Sequence, residues 1–211
     1  MVVYNLEWLK DTGGIVVTKP ITKRQKQAID TKNKIYNVSI ALFEKYGYDN
    51  VHIKDIVKEA NISVGTFYHY YKSKEDVFYE IYVRADYYFD TTVREGLKEE
   101  YSIDRVVEFF DYYAAKNMET DIDTLRQMLS INNKNYIKKG RAMQNVLIEI
   151  INEGQKRGEI IDIETPEELC EKLFIIARGI VFDWGLHDGD YNLRDKMKHF
   201  IGEFIKMFLK K

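Results

Sequence analysis

Residues 51–77 read VHIKDIVKEANISVGTFYHYYKSKEDV, and the reading of this stretch decides the fold. Ile53, Ile56, Val57 and Ala60 recur at three- and four-residue spacing and mark one short helix. After Asn61-Ile62-Ser63 a second helix runs from Val64 to about Tyr71, with Ser63 as its N-cap. Helices this short are unstable alone in water, so a longer neighbour has to hold them. Thr31 to Tyr46 supplies it: Ile35, Val38, Leu42, Phe43 and Tyr46 share one face, and Gly47 ends the helix. Two short helices joined by a three-residue turn behind a longer one have the layout of a helix-turn-helix reader of DNA.

The face of the second short helix that stays free decides what it can touch. At about 100° per residue, Phe67, Tyr70 and Tyr71 fall on one side and Val64, Gly65, Tyr68 and His69 on the other, with Thr66 at the border. Gly65 permits close backbone approach, and Thr66, Tyr68 and His69 carry donors suited to phosphates and base edges. The amides at the start of this helix add a place for one phosphate.

Outward from there the periodicity stays helical, with no alternating strand and no internal repeat. Ser73 is expected to open a long helix towards Glu100, with Asp76 as a weak capping box. Ser102 is expected to cap Ile103 to Asn117, followed by a shorter segment around Asp121 to Ile131 and a helix from Lys138 to Arg157 ending at Gly158. Thr165-Pro166-Glu167-Glu168 combines a cap residue, a proline at the first helical position and Glu at the third, and opens a helix to about Leu186. A turn-rich His187 to Asn192 precedes the last helix, on which Leu193, Met197, Phe200, Ile201, Phe204, Ile205 and Phe208 form one wide apolar stripe. The fold class is all-α, with about nine helices: an N-terminal three-helix helix-turn-helix domain and a C-terminal helical domain. The expected domains are an N-terminal extension over 1–30, basic from Lys19, a DNA-binding domain over 31–77 and an effector-binding and dimerisation domain over 78–211.

The chain has 211 residues, 45% of them hydrophobic and 14% aromatic, so it can bury a core and is not a disordered chain. Between Lys19 and Lys74 eleven Lys and Arg face five Asp and Glu, an excess of six, which leaves the remainder at -8 for a total of -2. A basic N-terminal third on an acidic remainder fits a protein of which one part meets a polyanion. For Lys19, Lys23, Arg24, Lys26, Lys32 and Lys34, an arm that follows the phosphate backbone and a solvated tail both fit. One cysteine, Cys170, rules out an internal disulfide and reads as a small apolar residue. The best apolar run, Leu173 to Leu186, is broken by Arg178 and Asp183 and falls short of the roughly 20 residues of a membrane span. Glu7 and Asp11 stand where a signal peptide would be basic and then apolar, so a soluble, cytoplasmic protein is expected.

Catalysis has little support. The four histidines are scattered, and no metal, nucleotide or nucleophile-elbow motif is present. His187, Asp188 and Asp190 could hold a metal, but a turn role fits better; no cofactor is expected. A helical-bundle enzyme and a partner-binding protein without DNA binding are the rival readings.

The run Gly47-Tyr48, Val51-His52-Ile53-Lys54-Asp55-Ile56, Ala60 through Tyr71 and Lys74-Glu75-Asp76-Val77 resembles the N-terminal signature of the TetR family of transcriptional regulators. The resemblance covers about Thr31 to Ile81. It implies a homodimeric, one-component repressor that binds a near-palindromic double-stranded DNA operator and leaves it when a small-molecule effector enters the C-terminal domain. Carried over by position, it makes Gly65, Thr66, Tyr68 and His69, with Ser63 and Val64, the recognition contacts and Lys74 a phosphate anchor. The resemblance also places His52 among the DNA contacts, at the position where the family usually has a Ser or Thr that caps the first short helix and touches phosphate; Asn61 replaces the common glycine of the turn, and Val57 replaces an alanine.

The resemblance places the dimer interface on the last two helices, about 166–186 and 193–209. The first of these is apolar on nearly every side, which independently asks for cover beyond one subunit. Any effector pocket falls within Tyr87 to Trp184, with Phe89, Phe109, Tyr113, Phe174, Arg178 and Trp184 as candidates that could equally be plain core. Arg178, a charge inside an apolar helix, either meets an anionic ligand group or pairs with a carboxylate such as Asp183.

Overall fold

The computed structural model describes residues 22–210. Among them are nine α-helices of seven residues or more, and the chain divides into two compact units with the boundary between Glu80 and Ile81. The helices are α1 (Lys23–Tyr46), α2 (Ile53–Glu59), α3 (Val64–Tyr70), α4 (Lys74–Tyr88), α5 (Ser102–Met118), α6 (Ile122–Met128), α7 (Ala142–Arg157), α8 (Pro166–Leu186) and α9 (Leu193–Ile205).

In the first unit α1 begins eight residues before the expected Thr31. Thr22 caps it: its hydroxyl accepts from Gln25 N–H at 3.2 Å, while the Gln25 amide oxygen accepts from Thr22 N–H at 2.9 Å. Such a reciprocal box satisfies two of the amides that a helix start leaves without partners. Lys23, Arg24, Lys26, Lys32 and Lys34 therefore lie on α1 itself, not on an extension before it; Lys19 lies outside the described residues. Ile35, Phe43, Val51, Ile56, Ala60, Phe67 and Val77 form the buried centre against which α2 and α3 are held. Lys32 closes one flank, paired with the nearly buried Glu80 at 2.9 Å and lying 5.5 Å from the Tyr71 ring centre.

In the second unit α9 lies along α5, and α7 packs on both α5 and α8. Arg194 forks onto Asp111 with contacts of 2.7 and 2.6 Å, fixing α9 to α5 through a bidentate pair. The start of α8 is as expected: Thr165 accepts from Glu168 N–H at 3.2 Å and Glu168 accepts from Thr165 N–H at 2.9 Å, with Pro166 in the first turn. Helix α7 ends at Gly158 in the left-handed conformation, φ 73°.

Three expectations need correcting. The helix opened at Ser73 does not run to Glu100: α4 gives way to a π-helical turn, Phe89–Val93, and a last α-helical turn ends at Gly96. Phe89 and Val93 are both fully buried, so the wider turn keeps both side chains in the core. Ser102 is not a cap but the first residue of α5; its N–H donates to the Glu159 carboxylate at 2.7 Å, a partner 57 residues away. Helix α7 starts at Ala142, not Lys138, because a short 3-10 turn, Lys134–Ile137, takes up the segment before it.

Candidate nucleic-acid interface

The turn between α2 and α3 is built by main-chain hydrogen bonds that need one left-handed residue. Asn61 takes that place at φ 49°; its N–H donates to Lys58 O at 3.1 Å and the next amide, Ile62, to Val57 O at 3.0 Å. This is a Schellman closure with asparagine in the glycine position, as the residue's tolerance of left-handed backbone allows. At the head of α2, Asp55 accepts from His52 N–H at 3.0 Å, and the His52 side chain is exposed.

Ser63 starts α3 by accepting from Thr66 N–H at 3.0 Å, and its hydroxyl also lies 2.8 Å from the Thr66 hydroxyl. Phe67 is fully buried and Tyr71 is 4% exposed, so these two rings fasten the helix to the core. On the opposite side Tyr68 is 53% and Val64 51% exposed, with Gly65 and His69 exposed beside them. The Tyr68 ring stands edge-on to Phe67 with centres 5.6 Å apart, which sets its direction without covering it. Thr66, placed at the border, is half-buried with its hydroxyl turned to Ser63. Tyr70 is not simply inward: with His69, Ala28, Ile29 and Lys32 it lines a groove of about 290 Å³ between α1 and the end of α3.

Lys74 is placed differently from a free phosphate anchor. Its ammonium donates to Tyr48 O at 2.6 Å and Val51 O at 3.0 Å and lies 4.1 Å from the Tyr48 ring centre, leaving one N–H uncommitted. Burial, reinforced by Glu75, pushes the Tyr48 phenol well above its ordinary range. Lys54, Lys58 and Lys72 are exposed around the two short helices.

Of the six effector candidates, four come together. Phe89 and Phe109 stand 4.9 Å apart, Phe109 and Phe174 6.1 Å, and Tyr113 and Phe174 5.8 Å, and Phe110 completes the group at 5.2 Å from Phe109. Trp184 is elsewhere, its indole N–H donating to Tyr191 O at 2.9 Å. Arg178 is half-buried and makes no ion pair or hydrogen bond among the described residues. The expected pairing with Asp183 does not form, because five residues of helix turn the carboxylate about 140° away; Asp183 instead accepts from Lys196 and from the Tyr191 hydroxyl, each at 2.8 Å.

A hydroxyl pair borders the aromatic group: Tyr113 and Tyr136 meet at 3.0 Å, and Asn133 donates to the Tyr82 hydroxyl at 2.6 Å. Burial pushes both Tyr113 and Tyr136 above the usual phenol range. Tyr136 and Asn133 sit in a polar connection without periodicity, where no sequence signal marks them. Asp188, in a left-handed turn at φ 53°, pairs with Arg126. No described helix is long and apolar enough to cross a membrane.

The buried rings, the closed turn and the outward face of α3 together form a helix-turn-helix, a layout used to read DNA. Residues 35–81 match the family described as bacterial regulatory proteins, tetR family. The biofilm operon icaADBC negative transcriptional regulator IcaR of Staphylococcus epidermidis is 32% identical over 37% of this chain and 42% of its own length. The fatty acid metabolism regulator protein of Bacillus subtilis is 24% identical over 76% of this chain and 86% of its own. The crystal structure of FadR from Bacillus subtilis in complex with stearoyl-CoA shares the fold, with a TM-score of 0.70 and 19% identity over 82% of this chain and 96% of that one. The chain thus spans less than half the length of the biofilm regulator and most of the fatty-acid regulator. Over residues 35–81 it is similar to the tetR family of bacterial regulatory proteins.

Proposed function

We propose that the protein is a cytoplasmic, non-enzymatic DNA-binding repressor that sits on a near-palindromic operator as a homodimer and leaves it when a small molecule occupies the C-terminal domain. The observation that carries this reading is the exposed Val64, Gly65, Tyr68 and His69 face held over buried Phe67 and Tyr71. In this reading residues 31–77 are the reader and 78–211 the effector and dimerisation domain. His52, Ser63 and Thr66 flank the contact face, and the uncommitted N–H of Lys74 reaches a phosphate.

Dimerisation is supported by uncovered apolar surface on the last two helices. Ile175, Gly179, Phe182 and Leu186 recur along one exposed stripe of α8, and Phe200 and Met207 are exposed beyond it. A four-helix bundle from two subunits covers such stripes. Two readers related by a two-fold axis enter successive major grooves when their recognition helices stand about 34 Å apart.

The effector class is a fatty acyl thioester or the free fatty acid. The likeness to a fatty acid metabolism regulator and to a stearoyl-CoA complex supports it, as do the aromatic group around Phe109 and the unpaired Arg178, a counter-charge for an anionic head. Such an effector lowers DNA affinity by as much as it prefers the released state. Fluorescence anisotropy of the full-length protein on a duplex enriched from a random library tests the reading. Tight, salt-dependent binding that stearoyl-CoA or stearate reverses is the expected result. No enriched duplex refutes the DNA reading, and a complex indifferent to both compounds refutes the effector class alone.

A further inference from the structure

Helix α3 lacks the side chains that read bases in pairs. Val64-Gly65-Thr66-Phe67-Tyr68-His69-Tyr70 contains no Arg or Lys for guanine, no Asn or Gln for adenine, and no acid for cytosine. Asn61, the nearest amide, belongs to the turn. Thr66 keeps its hydroxyl against Ser63 at 2.8 Å, Phe67 is buried, and Tyr70 is half-buried in the groove beside α1. What faces outward is the Val64 isopropyl group, the Tyr68 ring one turn along the same face, and the polar tips of Tyr68 and His69.

Two features single out Val64. It is 51% exposed and is the one aliphatic side chain on α3. Beside it, Gly65 has no internal reason to be glycine: a Cβ there would meet only Ser63 Oγ, at an ordinary 3.7 Å. Glycine weakens a helix relative to alanine, so its use where the fold has room for a methyl group fits close approach by something outside the chain. At the major-groove edge the one apolar group a base pair presents is the thymine C5-methyl.

Resting on the operator-binding reading above, we infer that Val64, backed by the Tyr68 ring, reads a thymine methyl group. The operator half-site then carries an A·T pair where α3 enters the groove, and its choice rests on an apolar contact instead of a charged bidentate pair.

The test uses the full-length protein and a duplex enriched from a random library, prepared with thymine and then, position by position, with deoxyuridine, which lacks only the methyl group. Wild-type protein is expected to lose about fourfold in affinity per half-site at one thymine, the worth of one buried methyl-sized group, and little at the others. In Val64→Ala the thymine and deoxyuridine duplexes should bind alike, with the far-UV circular dichroism of the wild type. Equal wild-type binding to both duplexes at every position overturns the inference while leaving the regulator reading intact. A penalty that persists undiminished in Val64→Ala overturns it as well, by assigning the methyl contact to another residue. Failure to enrich any duplex removes the inference together with the reading on which it rests.

Discussion

The Lys74 ammonium donates to the main-chain carbonyl of Tyr48 at 2.6 Å and faces the ring of the same residue. With Val51 O as second acceptor, the side chain clasps the loop after α1 to the first turn of α4. Lys74→Met removes two charge-assisted hydrogen bonds and leaves two carbonyls to water, a loss on the order of 2 kcal/mol for a partly exposed site. A lowered melting temperature is expected alongside weaker DNA binding. Unchanged thermal unfolding would show that the clasp adds nothing.

Tyr68 should behave in the opposite way. More than half exposed, it can be cut to alanine with a stability change within about 0.5 kcal/mol, whereas affinity for an enriched duplex should fall about tenfold, the scale of one lost contact to a charged group. Anisotropy and thermal melts on the same preparation separate the two effects. A variant that melts normally and binds DNA normally would remove Tyr68 from the interface.

Phe182 lies on the uncovered stripe of α8, 49% exposed in the isolated subunit. Phe182→Glu places a carboxylate there without entering the subunit core, so the helical circular dichroism should persist while sedimentation shifts towards the monomer. DNA affinity should fall with it, because half-sites are then engaged singly. Retention of the wild-type sedimentation coefficient would argue that association uses another face.

Burial pushes the Cys170 thiol up to about 12, so almost no thiolate exists at pH 8. Ellman's reagent should react slowly with the native protein and stoichiometrically in guanidinium. Rapid labelling of the folded chain would contradict the packing of α8 around Cys170.

The Glu159 carboxylate is held below its ordinary value first by the Ser102 N–H, with Arg157 adding to the effect. A carboxyl depressed in the folded state contributes stability that is complete above its unfolded value, near 4.5, and that fades as pH falls through the folded value. Melting temperatures between pH 6 and pH 3 should fall less steeply in Glu159→Gln than in the wild type, from a lower starting point. Parallel curves would show that the carboxylate does not titrate through this contact.

Signals confined to a few neighbouring residues were legible in advance. Thr165 to Glu168 carry their whole cap within four positions, and Asn61 has the backbone tolerance its turn requires. The outward side of α3 followed from helical phase alone. Thr22 and Gln25 carry the same kind of local box, but the basic, apolar-poor residues after them resemble a tail, and Ile29 is the one residue among 23–30 that is buried. Contacts across long stretches of chain left no such trace. Ser102 looked like a cap because its true partner, Glu159, is remote in sequence, and the π-helical turn at Phe89 answers to the packing of a core assembled from several helices. Four of the effector candidates met because aromatic residues at helical spacing face inward together. Trp184 did not, since its indole found a carbonyl in the turn after α8.

A recognition helix with no lysine, arginine or acid divides two tasks that are often shared by one residue. On the operator-binding reading proposed above, tightness on the polyanion falls to the exposed Lys54, Lys58 and Lys72 around it, and counterions compete for those sites as salt is added. Discrimination falls to neutral groups that counterions do not address. Raising ionic strength should then loosen the grip on every duplex alike while leaving the ranking of one sequence over another nearly constant.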